Sequence, residues 1–121
     1  GVGIDMATGK SLFAVQHGQP VDRHPDTGKF FSELVIPQWN RILVLAAGCY
    51  EMTGLGYIGC DIVLDKYKGP VILELNARPG LAIQLASGHG LVDRLHQVEN
   101  LSTEMLQLSP KKRVSFCESW R

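Results

Sequence analysis

The chain has 121 residues, 45% of them hydrophobic, and a formal net charge of zero at pH 7. This length and composition fit one small globular domain, and the balanced charge gives no indication of a nucleic-acid partner or of a disordered acidic tail. The longest apolar run, Ile42–Ala47, is too short to cross a bilayer, so we expect no membrane insertion.

The three cysteines, Cys49, Cys60 and Cys117, form no CxxC motif, which argues against a disulfide framework and against a structural zinc site. Reduced thiols predict a cytoplasmic protein. The chain begins at Gly1, directly in a glycine-rich turn, and we interpret it as a piece of a longer protein that lacks its own N-terminal part.

The N-terminal part predicts short strands at residues 11–16 and 21–23, separated by turns at residues 9–10 and 18–20. The clearest helix is predicted over residues 37–53, where apolar or small side chains recur at intervals of three and four residues. Pro37 suits the first turn of this helix, and Gly54 suits a left-handed C-terminal cap.

Residues 57–64 and 70–76 predict two strands joined by a hairpin turn over residues 65–69. Short helices are predicted at residues 81–86 and 91–99. The segment 109–121 is basic and then polar, and we expect it to be loosely held. The fold class is therefore α+β, with a mainly antiparallel sheet packed with helices.

The two predicted strands carry three oxygen-bearing side chains that could form a metal site. Glu74 and Asn76 share a face because side chains alternate along a strand. Pairing about the turn places Asp61 near Leu73 or Glu74. If Asp61 lies opposite Glu74, the three side chains converge, and such a set suits Mg²⁺, which takes one or two carboxylates and leaves other positions to water and phosphate.

Other readings of these residues remain open. A register change of one residue would turn Asp61 to the opposite face, and an acidic residue in a strand commonly lies on a solvated face. The domain could also be a plain α+β packing domain, whose acidic residues form ion pairs with Arg41, Arg78 or Arg94. The apolar neighbours of Asp61 and Glu74 favour metal binding, because buried charges are paired or coordinate metals.

Two glycine-rich motifs do not predict nucleotide binding. "GLGYIG" at residues 54–59 matches GxGxxG, but it closes a helix and opens a strand, the reverse of a dinucleotide-binding turn. "GIDMATGKS" at residues 3–11 resembles a phosphate-binding loop, but the spacing between its glycines is one residue too long. Turn and cap glycines explain both.

The segment "GYIGCDIVLDKYKGPVILELNARPGL", residues 56–81, resembles the C-terminal part of the ATP-grasp fold, close to the RimK-like α-L-glutamate ligases. The aspartate in an apolar strand, the short hairpin and the E-x-N-x-x-P-G-L ending carry the resemblance. "GVGIDMATGK" and "HPDTG" extend it over about residues 1–98.

The resemblance implies that residues 1–99 are a C-terminal ATP-grasp lobe without the upstream nucleotide-binding lobe, and that residues 100–121 are a basic and polar tail. It also implies that Asp61, Glu74 and Asn76 hold two Mg²⁺ ions (or Mn²⁺) on the phosphates of ATP, with Glu74 bridging them. Arg78 would be a catalytic residue that stabilises phosphate.

The expected activity is that of an ATP-dependent carboxylate-amine ligase, acting through an acyl phosphate on small-molecule or peptide carboxylates and amines. We expect this piece alone to be inactive and to form a homo-oligomer, since a missing lobe leaves apolar surface uncovered. The alternative is a non-catalytic divalent-cation-binding domain or a degenerate ATP-grasp scaffold. The substrate acid could be glutamate, another amino acid, a peptide C-terminus or a sugar-linked acid.

Overall fold

The structure is a computed structural model, and it describes residues 1–81 and 90–117. Strands and helices are mixed along the chain and both sheets are antiparallel, which confirms the predicted α+β class. The strands are β1 (Val2–Ile4), β2 (Ser11–Gln16), β3 (Gln19–Val21), β4 (Gly59–Asp65) and β5 (Gly69–Asn76). The helices are α1 (Trp39–Ala47), α2 (Cys49–Thr53), α3 (Leu91–Glu99), α4 (Thr103–Leu106) and α5 (Pro110–Cys117).

The chain divides into two compact units. Unit 1 comprises Gly1–Pro37 and Gly80–Leu101, and unit 2 comprises Gln38–Pro79 and Ser102–Arg121. The division into two units does not test the predicted domain boundaries. A lobe over residues 1–99 followed by a tail over residues 100–121 stays a prediction.

Unit 1 contains a three-stranded sheet in the order β1-β2-β3. β2 and β3 form a two-residue hairpin whose turn residues, His17 and Gly18, both have positive φ, 51° and 78°. Positive φ at both central residues defines a type I′ turn, which matches the twist of paired strands. The turn therefore falls earlier than predicted, and Pro20 lies within the edge strand β3, where a missing N–H is tolerated.

The segment after β3 returns to the same sheet. The Phe31 N–H donates to the Asp22 carbonyl oxygen at 2.9 Å, and the Ser11 hydroxyl donates to the Phe31 carbonyl oxygen. A short 3-10 helix follows at Phe31–Glu33. Helix α3 occupies the residues predicted for it. The predicted helix at residues 81–86 lies almost entirely outside the described residues.

Unit 2 begins with two helices where the sequence predicted one. Helix α1 starts at Trp39, because Gln38 has a left-handed backbone with φ 56°, and Pro37 lies outside it. Gly48 separates α1 from α2, which is consistent with the low helix propensity of glycine. A Cβ at Gly48 would lie 4.0 Å from the Pro110 Cγ atom. Gly54 forms the left-handed cap, with φ 68°, as predicted.

The β4–β5 hairpin turns at the predicted position. One side-chain oxygen of Asp65 accepts the N–H groups of Tyr67 and Lys68, each at 2.8 Å. These hydrogen bonds stabilise the charged carboxylate and lower the pKa of Asp65. An aspartate that binds the backbone two and three residues ahead is a common means of closing a tight turn.

Helix α5 differs from the loosely held segment that the sequence predicted for residues 109–121. It packs against α1, and Val114 is buried. Arg113 donates to the Ala47 carbonyl oxygen at 2.8 Å and forms an ion pair with Glu51 at 2.7 Å. The hydrogen bond from Arg113 lowers the pKa of Glu51 below its ordinary value of 4.5. The prediction was wrong for residues 110–117, since composition alone could not reveal this tertiary partner. Across the described parts of the chain, no helix is long and apolar enough to cross a membrane.

Candidate functional site

The β4–β5 hairpin places the predicted oxygen ligands on one face. Asp61 lies directly opposite Glu74, and Gly59 lies opposite Asn76. Residues opposite each other in an antiparallel pair project to the same side of the sheet. The register that brings Asp61 to Glu74, one of the two that the sequence left open, is therefore confirmed.

A β-bulge at Leu73 produces this register. From the turn outward the ladder is regular as far as Ile62 opposite Ile72, and the next pair is Asp61 opposite Glu74. Leu73 is thus the extra residue. In an unbroken ladder, Asp61 would lie opposite Leu73, and Glu74 and Asn76 would turn to the other face. That face holds the half-buried side chains of Ile62 and Ile72.

The three candidate ligands are exposed. The side chains of Asp61, Glu74 and Asn76 are all exposed to solvent, and the Leu73 side chain beside them is 67% exposed. Their apolar neighbours in sequence had suggested buried charges, and that inference was wrong. Cys60, Ile62 and Leu75, which flank the two acids in sequence, lie on the opposite, half-buried face. The two exposed carboxylates therefore avoid the cost of desolvation.

Neither the Asp61 nor the Glu74 carboxylate takes part in a stabilising polar contact within the described parts of the chain. The Asp61 and Glu74 side chains accept no hydrogen bond there, and the ion pairs there involve other residues. Arg41 donates instead to the Gln38 side chain at 3.1 Å and to the Lys68 carbonyl oxygen at 3.2 Å. The packing-domain alternative, in which Arg41, Arg78 or Arg94 neutralises these acids, therefore finds no support among the ion pairs of the described residues.

Asn76 organises the turn that follows β5. Its side-chain oxygen accepts the N–H of Arg78 at 2.9 Å, the pattern of an Asx turn. A carboxamide oxygen has two lone pairs, so this contact leaves one available to a ligand. The guanidinium of Arg78 is on the exposed surface and makes no hydrogen bond or ion pair within the described residues.

Gly59 is a feature of the site that the sequence analysis missed. A Cβ at this position would lie 2.8 Å from the Pro79 Cβ atom and 3.6 Å from the Asn76 Cβ atom. Pro79 therefore folds back onto the β4 backbone at a distance that only glycine permits. The sequence showed a glycine before a strand, which has many explanations, and no local pattern points to a proline twenty residues later.

Behind the acidic face, Cys60 approaches the buried thiol of Cys49. Burial raises the pKa of Cys60 to about 11, with further contributions from its contacts with Cys49 and from the charge of Asp61. All three cysteines are free thiols. A raised pKa keeps the Cys60 thiol protonated at neutral pH, so it serves as a packing residue rather than as a nucleophile.

The donor set fits a hard cation that retains ligands from solvent or substrate. Two unpaired carboxylates and one carboxamide lone pair lie on one exposed face. In residues 1–81 and 90–117, no three His, Cys, Asp or Glu side chains come close enough to form a metal cage. Mg²⁺ is rarely bound by such a cage and more often by one or two carboxylates together with substrate phosphates.

Comparison with known proteins supports the relationship inferred from the sequence. The family model described as sugar-transfer associated ATP-grasp matches residues 1–100. This match supports an ATP-grasp relationship, but it does not specifically identify the RimK-like branch or the C-terminal lobe. Searches of curated proteins and of solved structures returned no significant match. Because the family model covers 100 of the 121 residues, the chain belongs to the sugar-transfer associated ATP-grasp family.

Proposed function

We propose that this chain carries the metal- and phosphate-binding hairpin of an ATP-dependent carboxylate-amine ligase. The observation that carries the proposal is the pairing of Asp61 with Glu74 on an exposed face, without structural partners. Support also comes from membership in an ATP-grasp family. The hairpin would belong to the C-terminal lobe of the protein, related to the RimK-like ligases.

In the proposed reaction, a carboxylate oxygen of the substrate attacks the γ-phosphorus of ATP, and ADP leaves. The amine then attacks the carbonyl carbon of the acyl phosphate, inorganic phosphate leaves, and a proton is released. Bound Mg²⁺ would neutralise charge on the transferred phosphoryl group. Asp61, Glu74 and Asn76 would hold the ions, and the exposed guanidinium of Arg78 would bind a phosphate oxygen.

The family description also favours one substrate class among those left open. An association with sugar transfer favours a sugar-linked carboxylic acid over free glutamate, another amino acid or a peptide C-terminus. A sugar-linked acid presents the same reacting carboxylate, so the site chemistry is unchanged. Trapping with hydroxylamine in the presence of ATP, carried out on the full-length protein, tests this choice, because an acyl phosphate reacts to give a hydroxamate. A hydroxamate from glutamate but not from uronic acids would contradict it.

Thermal unfolding tests the metal site itself. A ligand that binds only the folded state raises its stability, by about 2.7 kcal/mol at one hundred times the dissociation constant. We expect Mg²⁺ with ATP to raise the unfolding midpoint of the wild-type protein. We expect no rise in Glu74→Gln, which removes a charge at nearly constant shape.

The matched control is Glu99→Gln, which removes an exposed carboxylate at the end of α3 and should retain the wild-type response. An equal rise in wild type and in Glu74→Gln would show that binding occurs elsewhere. A rise that depends on Glu74, without ADP formation by the full-length protein under any acid and amine, would favour the non-catalytic scaffold instead.

A further inference from the structure

Unit 1 contains a cavity that the proposed metal site does not use. Its volume is about 310 Å³, and it lies between the β2–β3 hairpin and the segment that follows β3. Its lining includes three phenylalanines, Phe13, Phe30 and Phe31, together with Leu12. Ligand pockets in proteins begin at about 300 Å³ and are lined mainly by apolar and aromatic side chains with a few polar groups.

The backbone holds these walls in place. Ala14 pairs with Val21, so the same register places Phe13 across from Asp22. The Phe31 N–H donates to the Asp22 carbonyl oxygen at 2.9 Å, which ties the third aromatic wall to the end of β3. The cavity is therefore built from paired strands and a hydrogen-bonded return segment.

Asp22 is the one charged residue among the described residues that line the cavity. Its side chain accepts no hydrogen bond and forms no ion pair in the described parts of the chain. The neighbouring Arg23 does not pair with Asp22, since its guanidinium carbon lies 3.6 Å from the centre of the ring of Phe30, one of the cavity walls, and one of its nitrogens donates to the Gly28 carbonyl oxygen at 3.3 Å. The cavity thus combines the aromatic side chains of Phe13 and Phe31 with an unpaired negative charge, while Arg23 already covers one face of Phe30.

We propose that this cavity binds a small amine in its ammonium form, attached to a single aromatic ring or an apolar group of similar size. An ammonium group is attracted to a carboxylate and to the faces of aromatic rings. An anionic ligand would be repelled by Asp22. The proposal depends on unit 1 residues alone and goes beyond the ligase function, so the metal-site test can fail or succeed independently.

Backbone amide NMR titration with three related probes tests the proposal. The probes are phenethylamine, its neutral analogue 2-phenylethanol and the anion 3-phenylpropionate. We expect phenethylamine to shift the amides of Phe13 and Phe31 and to bind at least about tenfold more tightly than 2-phenylethanol. Tenfold corresponds to about 1.4 kcal/mol, near the lower range for a hydrogen bond to a charged group. The propionate should bind most weakly.

Two variants assign the charge. Asp22→Asn should remove the preference for the amine over the alcohol, and both probes should then bind with similar affinity. Asp26→Asn removes an exposed carboxylate in the following turn, outside the cavity lining, and should retain the wild-type preference. Both positions are exposed, so neither substitution should prevent folding.

Several results would overturn the proposal. Equal binding of the amine and the alcohol to the wild-type protein would show that Asp22 does not recognise charge. An unchanged amine preference in Asp22→Asn would place the binding elsewhere. A dimer that the amine disperses, seen by sedimentation, would identify a second copy of the chain as the occupant of the cavity.

Discussion

Individual glycines in this protein serve different purposes, and only some of them could be interpreted from the sequence. Gly54 follows a helical pattern and adopts the left-handed conformation expected of a helix cap. Gly59 has a different role, because it lies against Pro79, which is distant in the chain. The first role is local and follows from helix geometry. The second depends on how the turn after β5 folds back.

Gly59→Ala should therefore disturb the candidate site. The new methyl group would lie 2.8 Å from the Pro79 Cβ atom, and a proline ring cannot rotate away. Overpacking of this kind costs about 1–3 kcal/mol, and we expect this loss in the free energy of unfolding measured with urea. We also expect a weaker response to Mg²⁺ and ATP, because the turn carries Arg78.

Gly56→Ala is the matched control for this change. A Cβ at Gly56 meets nothing within 4 Å, so the substitution should change stability by less than about 0.5 kcal/mol. Equal destabilisation by both alanines would refute the assigned contact between Gly59 and Pro79.

At the level of elements, the bulge in β5 determines which residues reach the exposed face. Strict alternation over residues 72–76 would put Ile72, Glu74 and Asn76 together, mixing an apolar side chain with two polar ones. The bulge resolves this conflict by placing Ile72 on the half-buried face and Glu74 on the exposed one. The sequence thus contained a break in the polarity pattern between Ile72 and Glu74. It did not show that Leu73 is the extra residue of a bulge.

Deletion of Leu73 tests this account of the hairpin. Because Leu73 is the extra residue, its removal leaves an unbroken ladder in which Asp61 still faces Glu74. We expect the deletion variant to fold and to retain the rise in unfolding midpoint with Mg²⁺ and ATP. We expect only a small decrease in the free energy of unfolding, since the Leu73 side chain is 67% exposed.

Leu73→Ala separates the side chain from the bulge, since it keeps the extra residue. If the deletion variant folds but loses a ligand response that Leu73→Ala keeps, then the bend of the bulged strand is itself required at the site. Loss of the response in both variants would assign the effect to the leucine side chain.

At the scale of the whole molecule, each unit has few buried apolar side chains. Among the described residues, the buried apolar residue of unit 1 is Ala14, and those of unit 2 are Cys49 and Val114. Large apolar side chains are exposed in both units, including Val35 at 55% and Met52 at 72%. Exposed apolar surface of this kind commonly marks an interaction site.

We therefore predict that the chain self-associates in solution. Sedimentation velocity over a range of protein concentrations should show a shift from monomer to larger species, because burial of apolar side chains between copies is favourable. Added salt should not reverse the shift, since the association would be driven by apolar contact rather than by charge. A monomer at every concentration would contradict the prediction.

The sequence by itself determined the α+β class, the β4–β5 hairpin, the cap at Gly54 and the ATP-grasp relationship, because each depends on residues close together in the chain or on a contiguous motif. Only the tertiary structure decided the bulge at Leu73, the contact between Gly59 and Pro79, and the docking of α5 through Arg113. These features depend on contacts between residues that are distant in sequence or on a choice between two ladders of similar local geometry. The register of two strands and the contacts between distant residues are decided by which whole face of a sheet or helix becomes buried. No single segment of the sequence encodes this outcome.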